Sequence, residues 1–392
     1  MSFSVDFNRA PFLVIWEVTR ACALACVHCR ADAIPRRDPA ELSTEEGFRL
    51  IDQIRALNAP PPLFVLTGGD PMRRPDLADL VGYAAQAGLT VALTPSGTAA
   101  ATPARLAALK TAGLSRVAVS LDGPTPETHD AFRRVNGSFA WTRRIIDAAI
   151  DLNLPLQINS TISKRTLPYL ETLTAHLQEL PLTLWALFFL IQTGRGAALE
   201  QISAEECERV LTYLYDLSLT APFGIKTTEA PHYQRVVWQR EHTKSATTDI
   251  TDTNRGHGSV QKEQQCSPFL SASSVVNRRR QLRAPRSVGD GNGFVFVDHL
   301  GNICPSGFLP APRGNVRTAD LGEIYRSDDM FTRLRNANAL VGKCGRCEFR
   351  EICGGSRSRA FAATGAVMAS DPLCAYEPAA GRQPVVGAGA PS

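Results

Sequence analysis

Three cysteines that could hold a metal centre lie within eight residues near the beginning of this 392-residue chain. Cys22, Cys26 and Cys29 have the spacing C-x3-C-x2-C and follow an apolar run at 12–16 that is typical of a buried strand. Thiolates this close in sequence can converge on one centre. Three protein ligands are one fewer than a closed zinc site or a fully protein-held [4Fe-4S] cluster needs, so one iron of such a cluster would stay open to an outside ligand.

A second group of cysteines lies near the other end of the chain. Cys344, Cys347 and Cys353 have the spacing C-x2-C-x5-C, and Cys374 follows later. Four thiolates complete the coordination of one cluster without outside help, although they also suit a zinc ribbon. For the first group, two alternatives stay open: a zinc site with His28 as fourth ligand, or three unrelated buried thiols.

Composition narrows the class of protein. The hydrophobic fraction of 44% suffices for a sizeable core, and a net charge of +4 is too small to indicate a nucleic-acid partner. The N-terminus lacks the pattern of a signal peptide, and the longest apolar stretch elsewhere, at 182–191, is too short to span a membrane. We therefore expect a cytoplasmic protein without a membrane partner, in which ten cysteines favour metal sites over disulfides.

Strand and helix signals alternate after the first cysteines, which predicts an α/β fold. Strand-length apolar runs begin at 12 and recur at 63–67, 90–94, 116–120, 156–160 and 185–191, with helical patterns at 43–57, 76–86, 103–111, 140–152 and 167–180 between them. Six βα units predict a partial (βα)6 TIM-like barrel with its site at the carboxyl ends of the strands. A hairpin at 294–305 indicates a smaller C-terminal domain that carries the second cysteine group.

The first cysteine motif resembles that of the radical S-adenosylmethionine (SAM) superfamily, in which an aromatic residue usually takes the position of His28. A Gly-Gly-Asp-Pro turn, residues 68–71, follows the second strand where the family has Gly-Gly-Glu-Pro. The resemblance implies that Cys22, Cys26 and Cys29 hold a [4Fe-4S] cluster whose fourth iron is chelated by SAM. Reductive cleavage of SAM would then give a 5′-deoxyadenosyl radical that abstracts hydrogen from the substrate.

The same resemblance assigns SAM-binding positions to the strand ends. The expected set of cofactor-binding residues is His28, Gly68, Gly69, Asp70, Pro71, Ser96, Ser120, Arg133, Asn159 and Leu190. Two of these assignments have alternatives. Arg134 could take the SAM-binding role in place of Arg133, and Leu190 could be an ordinary core residue. A reductant such as flavodoxin or ferredoxin is implied as a partner.

The C-terminal part resembles the SPASM and Twitch extensions of radical SAM enzymes, which hold auxiliary [4Fe-4S] clusters. A full SPASM motif has a further cysteine where this chain has Arg357, so we expect one auxiliary cluster, held by Cys344, Cys347, Cys353 and Cys374, and two clusters in total. Cys304 would then be a free thiol or an extra ligand on the substrate side, and Cys266 has no assigned role. The segment from Cys344 to Cys374 also resembles enzymes that modify tetrapyrrole side chains, except that Ser356 replaces a cysteine.

The remaining stretches suggest how the domains are divided. We expect the barrel at 1–200, a bridging helix and flexible insertion at 201–290, the auxiliary-cluster domain at 291–378 and a disordered tail at 379–392. The polar stretch 244–265 predicts a mobile loop, and the arginines between 278 and 286 form either a solvated face or a substrate lid. Residues 225–238 are interpreted as ordinary helix and loop surface, with a substrate pocket as the alternative.

Three functions are consistent with these motifs. The first is oxidative modification, such as decarboxylation, of a tetrapyrrole propionate by a radical SAM oxidoreductase. The second is maturation of a ribosomal peptide by a SPASM-type enzyme, although the barrel starts by Phe12 and shows no preceding peptide-clasping extension. The third is a non-catalytic metal-binding module, which would contain no iron if the metal were zinc.

Overall fold

A computed structural model describes residues 6–58, 60–248, 288–379 and 385 of the chain. Ten strands form one sheet in the order β10-β9-β8-β1-β2-β3-β4-β5-β6-β7. The strands are β1 Leu13–Glu17, β2 Leu63–Thr67, β3 Val91–Leu93, β4 Arg116–Ser120, β5 Leu156–Ile162, β6 Leu184–Phe189, β7 Gly224–Thr228, β8 Phe294–Val297, β9 Asn302–Cys304 and β10 Gly314–Asn315. The first seven are parallel neighbours in chain order, which confirms the α/β fold and the partial barrel.

Helices connect the parallel strands and continue into the C-terminal part. They are α1 Thr44–Arg55, α2 Leu77–Gln86, α3 Pro103–Ala112, α4 Pro126–Arg133, α5 Ser138–Asp151, α6 Leu170–Gln178, α7 Ala204–Ser218, α8 His232–Thr248, α9 Leu321–Ser327, α10 Asp329–Arg335, α11 Gly342–Arg346 and α12 Arg357–Thr364. The expected start of α1 is confirmed, because Ser43 and Glu46 form a reciprocal capping box. The helix buries Leu50, Ile51 and Ile54 in the core.

Two features of the sheet exceed the expected six strands. β7 extends the parallel series beyond β6, with Lys226 opposite Ala186. β8 lies parallel to β1, with Leu13 opposite Phe294, and then turns back as an antiparallel hairpin with β9. The C-terminal part is therefore joined to the barrel through β1, and the sheet ends at β7 on one side and at β10 on the other.

Several expected boundaries are wrong by a few residues. β5 continues to Ile162, β6 ends at Phe189, and β3 is limited to three residues. A loop was expected to begin at Lys244, but residues 244–248 belong to α8 despite their polar composition. The rest of that expected loop, the arginine run at 278–286 and most of the expected tail lie outside the described residues. The expected domain boundaries stay predictions.

Inward-facing and outward-facing side chains alternate along the barrel strands, as the period of a strand requires. On β4, Val117 and Val119 pack outward into the main hydrophobic core beneath the helices. On β7, Ile225 packs into that core, while Lys226 and Thr228 line an interior cavity. This alternation places polar side chains inside the barrel and apolar ones between sheet and helices.

Candidate active site

The loop after β1 brings the first three cysteines to the wall of the interior cavity. Its backbone is fixed by a hydrogen bond from Cys22 N to Ile34 O at 2.8 Å. Burial raises the pKa of the Cys22 thiol to about 11 and also raises that of Cys26. Such thiols become thiolates only with compensating positive charge, which a bound metal centre supplies. The three sequence-predicted ligands therefore share one wall, as a cluster site requires.

Backbone from the end of β2 packs tightly against this loop. A Cβ at Gly69 would lie 2.5 Å from the carbonyl oxygen of Arg20, and one at Gly68 would lie 2.5 Å from that of Thr19. Any larger residue would push the two loops apart, so glycine is required for this close approach. Both glycines line the cavity.

The other two residues of the turn have a different place from the one expected. Asp70 is fully buried and accepts hydrogen bonds from Thr98 Oγ1 at 2.7 Å and Met72 N at 3.2 Å. Neither Asp70 nor Pro71 is among the residues that line the cavity. The Asp70 carboxylate therefore stabilises the loop from behind, while Gly68 and Gly69 face the interior.

All six remaining expected SAM-binding residues converge on the same cavity. Those that line it are His28, Ser96, Ser120, Arg133, Asn159 and Leu190. Ser96 Oγ donates to Gly69 O at 2.6 Å and lies 3.8 Å from Cys22 Sγ. The strand-end rule thus brings residues from β3, β4, β5 and β6 next to the cysteine loop.

His28 is held flat against a neighbouring ring. Its imidazole stacks on Phe132 with 4.3 Å between ring centroids. Burial and the nearby Arg133 lower its pKa to about 3, so the ring is neutral. No described residue provides a hydrogen-bond partner for Nδ1, which leaves this atom available to a ligand.

A buried ion pair decides between the two candidate arginines. Arg133 forms a salt bridge with Asp122, and its Nη1 lies 3.6 Å from Cys26 Sγ. Burial alone would lower the pKa of Arg133, but Asp122 and Cys26 raise it above the usual range. Arg134 is exposed at the end of α4, in a left-handed conformation with φ of 57°. The cation beside the cysteine loop is therefore Arg133.

Sequence reasoning missed a second arginine at this loop. Arg195 donates from Nε to Cys26 O at 2.9 Å, and its backbone N donates to Cys29 O at 3.0 Å. The preceding Gly194 has φ of +51°, and a Cβ there would lie 2.5 Å from Cys29 O. The Gly-Arg-Gly sequence after β6 could have indicated this contact, because only glycine lets the backbone come so close to the cysteine loop.

The four C-terminal cysteines converge on a cavity of their own. Cys344, Cys347, Cys353 and Cys374 all line a space of about 20 Å³. Arg357 Nη2 lies 3.8 Å from Cys344 Sγ, and Gly355 N lies 3.5 Å from Cys353 Sγ. Burial raises the pKa of Cys347 to about 11. Burial also raises the pKa of Cys207 and Cys304, which belong to neither cysteine set.

A buried histidine borders this second set. His232 Nε2 lies 3.3 Å from the carboxylate of Asp371, which also pairs with Arg359. Burial opposes the charge on His232, but Asp371 outweighs it and raises the pKa to about 9. Cationic groups therefore surround the four thiols, a suitable environment for an anionic thiolate-held cluster.

Neither cysteine set has the geometry of a single-ion site. Within the described ranges, no three His, Cys, Asp or Glu side chains are close enough to bind one metal ion. A tetrahedral zinc ion requires sulfur ligands at about 2.3 Å. The cysteines instead border open space, the first three the large cavity and the C-terminal four the small one.

The two cysteine sets border one larger cavity of about 350 Å³. Cys22, Cys26 and Cys29 lie on one wall, while Cys353, Ser356 and Arg357 lie on another. The volume is within the range of small-molecule sites. Aromatic side chains from β6, from β8 and from the loop after β9 line it as well: Phe188, Phe294, Phe296 and Phe308.

Two carboxyl groups face each other at the mouth of β7. Glu229 and Asp290 interact directly, and burial together with Asp290 raises the pKa of Glu229 well above its usual value. Ser356 donates to Glu229, and Ser358 Oγ donates to Asp290 at 2.8 Å. Of the residues at 225–238, Lys226 and Glu229 line the cavity, whereas Arg235 forms a salt bridge with Glu208. That this cavity binds the substrate stays a prediction.

Comparison with known proteins identifies the class. Residues 16–166 match the radical SAM superfamily. The chain is 38% identical over 375 residues to an AdoMet-dependent heme synthase of Oleidesulfovibrio alaskensis, covering 95% of this chain and 89% of the relative. It is 34% identical to a protein of the same name from Methanosarcina barkeri, covering 95% and 99%. The chain therefore belongs to the radical SAM superfamily and is a radical SAM enzyme.

The fold has solved counterparts. The structure of Streptococcus suis SuiB bound to S-adenosylmethionine superposes with a TM-score of 0.63, covering 94% of this chain and 78% of that one at 14% identity. This likeness supports the barrel with its SPASM-type extension. Among the helices of the described residues, none is both long and apolar enough to cross a membrane.

Proposed function

We propose that this enzyme is a heme synthase that converts propionate side chains of an iron tetrapyrrole to vinyl groups. The observation that carries the proposal is the single cavity that the SAM-site residues and the second cysteine set border together. The similarity to proteins named AdoMet-dependent heme synthase supports the tetrapyrrole as substrate. Heme carries two vinyl groups where iron coproporphyrin III carries propionates, so this tetrapropionate is the substrate we propose.

The balanced reaction defines what the site must supply. Removal of one hydrogen atom from the propionate carbon next to the ring leaves a carbon radical, whose carboxylate then departs as CO₂. The carbon–carbon double bond forms as one electron leaves the substrate. When bound, the first cluster and SAM supply the hydrogen-abstracting radical, and an acceptor must take the remaining electron.

The chain's own residues hold the SAM components in this proposal. Cys22, Cys26 and Cys29 bind three irons, and the backbone at Gly68 and Gly69 approaches the SAM amino group. In the proposal, Ser120 and Arg133 bind its carboxylate, Ser96 its ribose, and Nδ1 of His28 a polar group of the nucleoside. All four residues line the cavity, and Nδ1 of His28 has no hydrogen-bond partner among the described residues. Asn159 and Leu190 extend that wall, whereas Asp70 and Pro71 act indirectly by shaping the turn.

The second cysteine set is proposed to hold one auxiliary [4Fe-4S] cluster. Its four thiols suffice to coordinate every iron, so no position is needed for an outside ligand. Cys353 borders both the small and the large cavity, which gives the shortest route for an electron from the substrate. We assign the acceptor role to this site.

The aromatic side chains of the cavity suit a flat macrocycle. Phe188 and Phe308 lie with ring centroids 6.4 Å apart, and the Arg30 guanidinium lies 4.5 Å from the centroid of Phe296. Aromatic faces contribute apolar contact, and the shielded interior protects a radical from side reactions. The proposal places the enzyme in the cytoplasm, with flavodoxin or ferredoxin as the reductant.

The deciding experiment measures two products of the anaerobically reconstituted, reduced enzyme. We expect iron coproporphyrin III to stimulate 5′-deoxyadenosine release and to lose CO₂ and two hydrogens for each converted propionate, as measured by mass spectrometry. The control is the same reaction with the tetrapyrrole omitted. Release that no tetrapyrrole stimulates would contradict the proposal and redirect the search to peptides.

A further inference from the structure

A lysine lies inside the barrel at a depth that the SAM site does not use. Lys226 is the third residue of β7, and its side chain lines the large cavity. It precedes Thr228, the last residue of the strand, by two positions, which places it about 6.6 Å deeper in the barrel. Its neighbour across the sheet is Ala186, whose small side chain leaves room beside it.

The ammonium group of Lys226 has no counter-ion within the described part of the chain. Burial and repulsion by Arg116, on β4, lower its pKa to about 8. The hydroxyl of Thr228, on the same face of β7, also has no hydrogen-bond partner among the described residues. Two adjacent donors on the inner face of one strand are thus unused.

The other cations of the cavity all have partners. Arg30 pairs with Glu17, Arg133 with Asp122 and Arg195 with Asp32. Arg357 has no carboxylate partner but donates to three backbone carbonyls, those of Gly355, Val367 and Ala369. The nearby carboxyl groups do not serve Lys226, because Glu229 and Asp290 interact with each other and with serines of the C-terminal part. An unpaired charge inside a cavity with partly apolar walls is costly, so this position is best explained by an anion that arrives with a ligand.

We propose that Lys226, together with Thr228, binds a carboxylate of the tetrapyrrole that is not being converted. This inference rests on the proposed function and adds to it a residue that orients the substrate. The reacting propionate must lie at the strand ends beside the SAM-site residues, whereas Lys226 lies deeper. A macrocycle with several propionates can reach both levels, and a charge-assisted hydrogen bond at the deeper one fixes which propionate faces the radical.

The test compares binding of iron coproporphyrin III and of its tetramethyl ester to the reconstituted holoenzyme. Wild-type enzyme should bind the tetra-acid more tightly than the ester. Lys226→Met should weaken binding of the tetra-acid at least about tenfold and reduce its advantage over the ester. Lys226→Arg should restore most of this preference, and Thr228→Val should have a smaller effect in the same direction.

Lys164→Met is the matched control, because Lys164 pairs with Glu206 away from the cavity lining. Iron content and the affinity for SAM show whether each variant is correctly folded and loaded. If wild-type enzyme binds and converts the tetra-acid but Lys226→Met binds and converts it equally well, the inference fails and the proposed function stands. If wild-type enzyme neither binds nor converts it, both fail.

Discussion

The two cysteine sets differ in what surrounds them. The N-terminal loop presents three thiols to a large cavity, with the Arg133 cation 3.6 Å from Cys26 and the backbone of Gly69 packed against it. The C-terminal set surrounds its own small cavity with four thiols, and only Cys353 also reaches the large one. A site that binds an outside ligand needs an open cavity as well as a free coordination position. A site that only exchanges electrons can be enclosed by its own four thiols.

The largest expected effect comes from removing a ligand of the open site. In Cys29→Ala, 5′-deoxyadenosine release should become undetectable and the iron content should fall by about four atoms per chain, because two thiols hold the cluster too weakly. Anaerobic iron determination and chromatography of the nucleoside products measure both quantities. A Cys29→Ala enzyme that still cleaves SAM would contradict the assignment of the N-terminal cysteines to the SAM-binding cluster.

The matching change in the closed site should separate the two roles. Cys347→Ala should also lose about four iron atoms, while product formation falls far more than 5′-deoxyadenosine release, because the substrate electron lacks its acceptor. The ratio of vinyl product to 5′-deoxyadenosine is the measurement. Undiminished product formation without the auxiliary cluster would contradict the acceptor role, and about twelve irons in wild-type enzyme would add a third cluster, for which Cys304 is a candidate ligand.

Removing the cation beside the open site should destabilise the fold. Arg133→Met leaves Asp122 buried without its partner, so the free energy of unfolding should fall by about 3 kcal/mol. The adjacent Arg134→Met is the control and should change it by less than about 0.5 kcal/mol, since Arg134 is exposed. Denaturant unfolding under anaerobic conditions measures the free energy of unfolding of both variants. Equal losses in the two variants would contradict a stabilising role for the buried Arg133–Asp122 pair.

The smallest expected effect is the pH dependence of tetrapyrrole binding through Lys226, which lines the large cavity that both cysteine sets border. Because the pKa of Lys226 is about 8, the ammonium is present below that pH and is lost above it. The affinity for iron coproporphyrin III should therefore fall by up to about tenfold per pH unit above 8. Other charged groups that face the cavity or act on Lys226 are Arg30, Arg116, Arg133, Arg195, Glu229, Asp290 and Arg357.

The arginine variant provides the control for that pH profile. Lys226→Arg carries a guanidinium that stays protonated, so its affinity should not decline between pH 8 and about 9.5. Spectrophotometric titration of the tetrapyrrole at each pH measures the difference. If both enzymes show the same decline, another group is responsible.

Local motifs made much of the site predictable from sequence. The spacing of Cys22, Cys26 and Cys29 keeps them in one loop, and the ends of parallel strands bring Ser96, Ser120 and Asn159 to that loop. Gly68 and Gly69 were predictable for the same reason. Each of these inferences needs only the direction of a strand and the length of a loop.

Other features depend on contacts between distant segments. Lys226 looked like a surface residue because the short strand β7 does not reveal which face is inside. Asp70 was expected near SAM, but its turn directs the carboxylate to Thr98, 28 residues away. The pairing of Glu229 with Asp290 and Ser356 joins three segments whose proximity no local pattern encodes.

The parallel pairing of β1 with β8 affects how the chain acquires its structure during synthesis. Leu13 leaves the ribosome about 280 residues before its partner Phe294. Until then β1 has one unpaired edge, and contacts this distant in sequence form slowly. The edge of β1 beside the cysteine loop therefore stays open until the C-terminal part of the chain has been synthesised, so the complete sheet forms only at that stage.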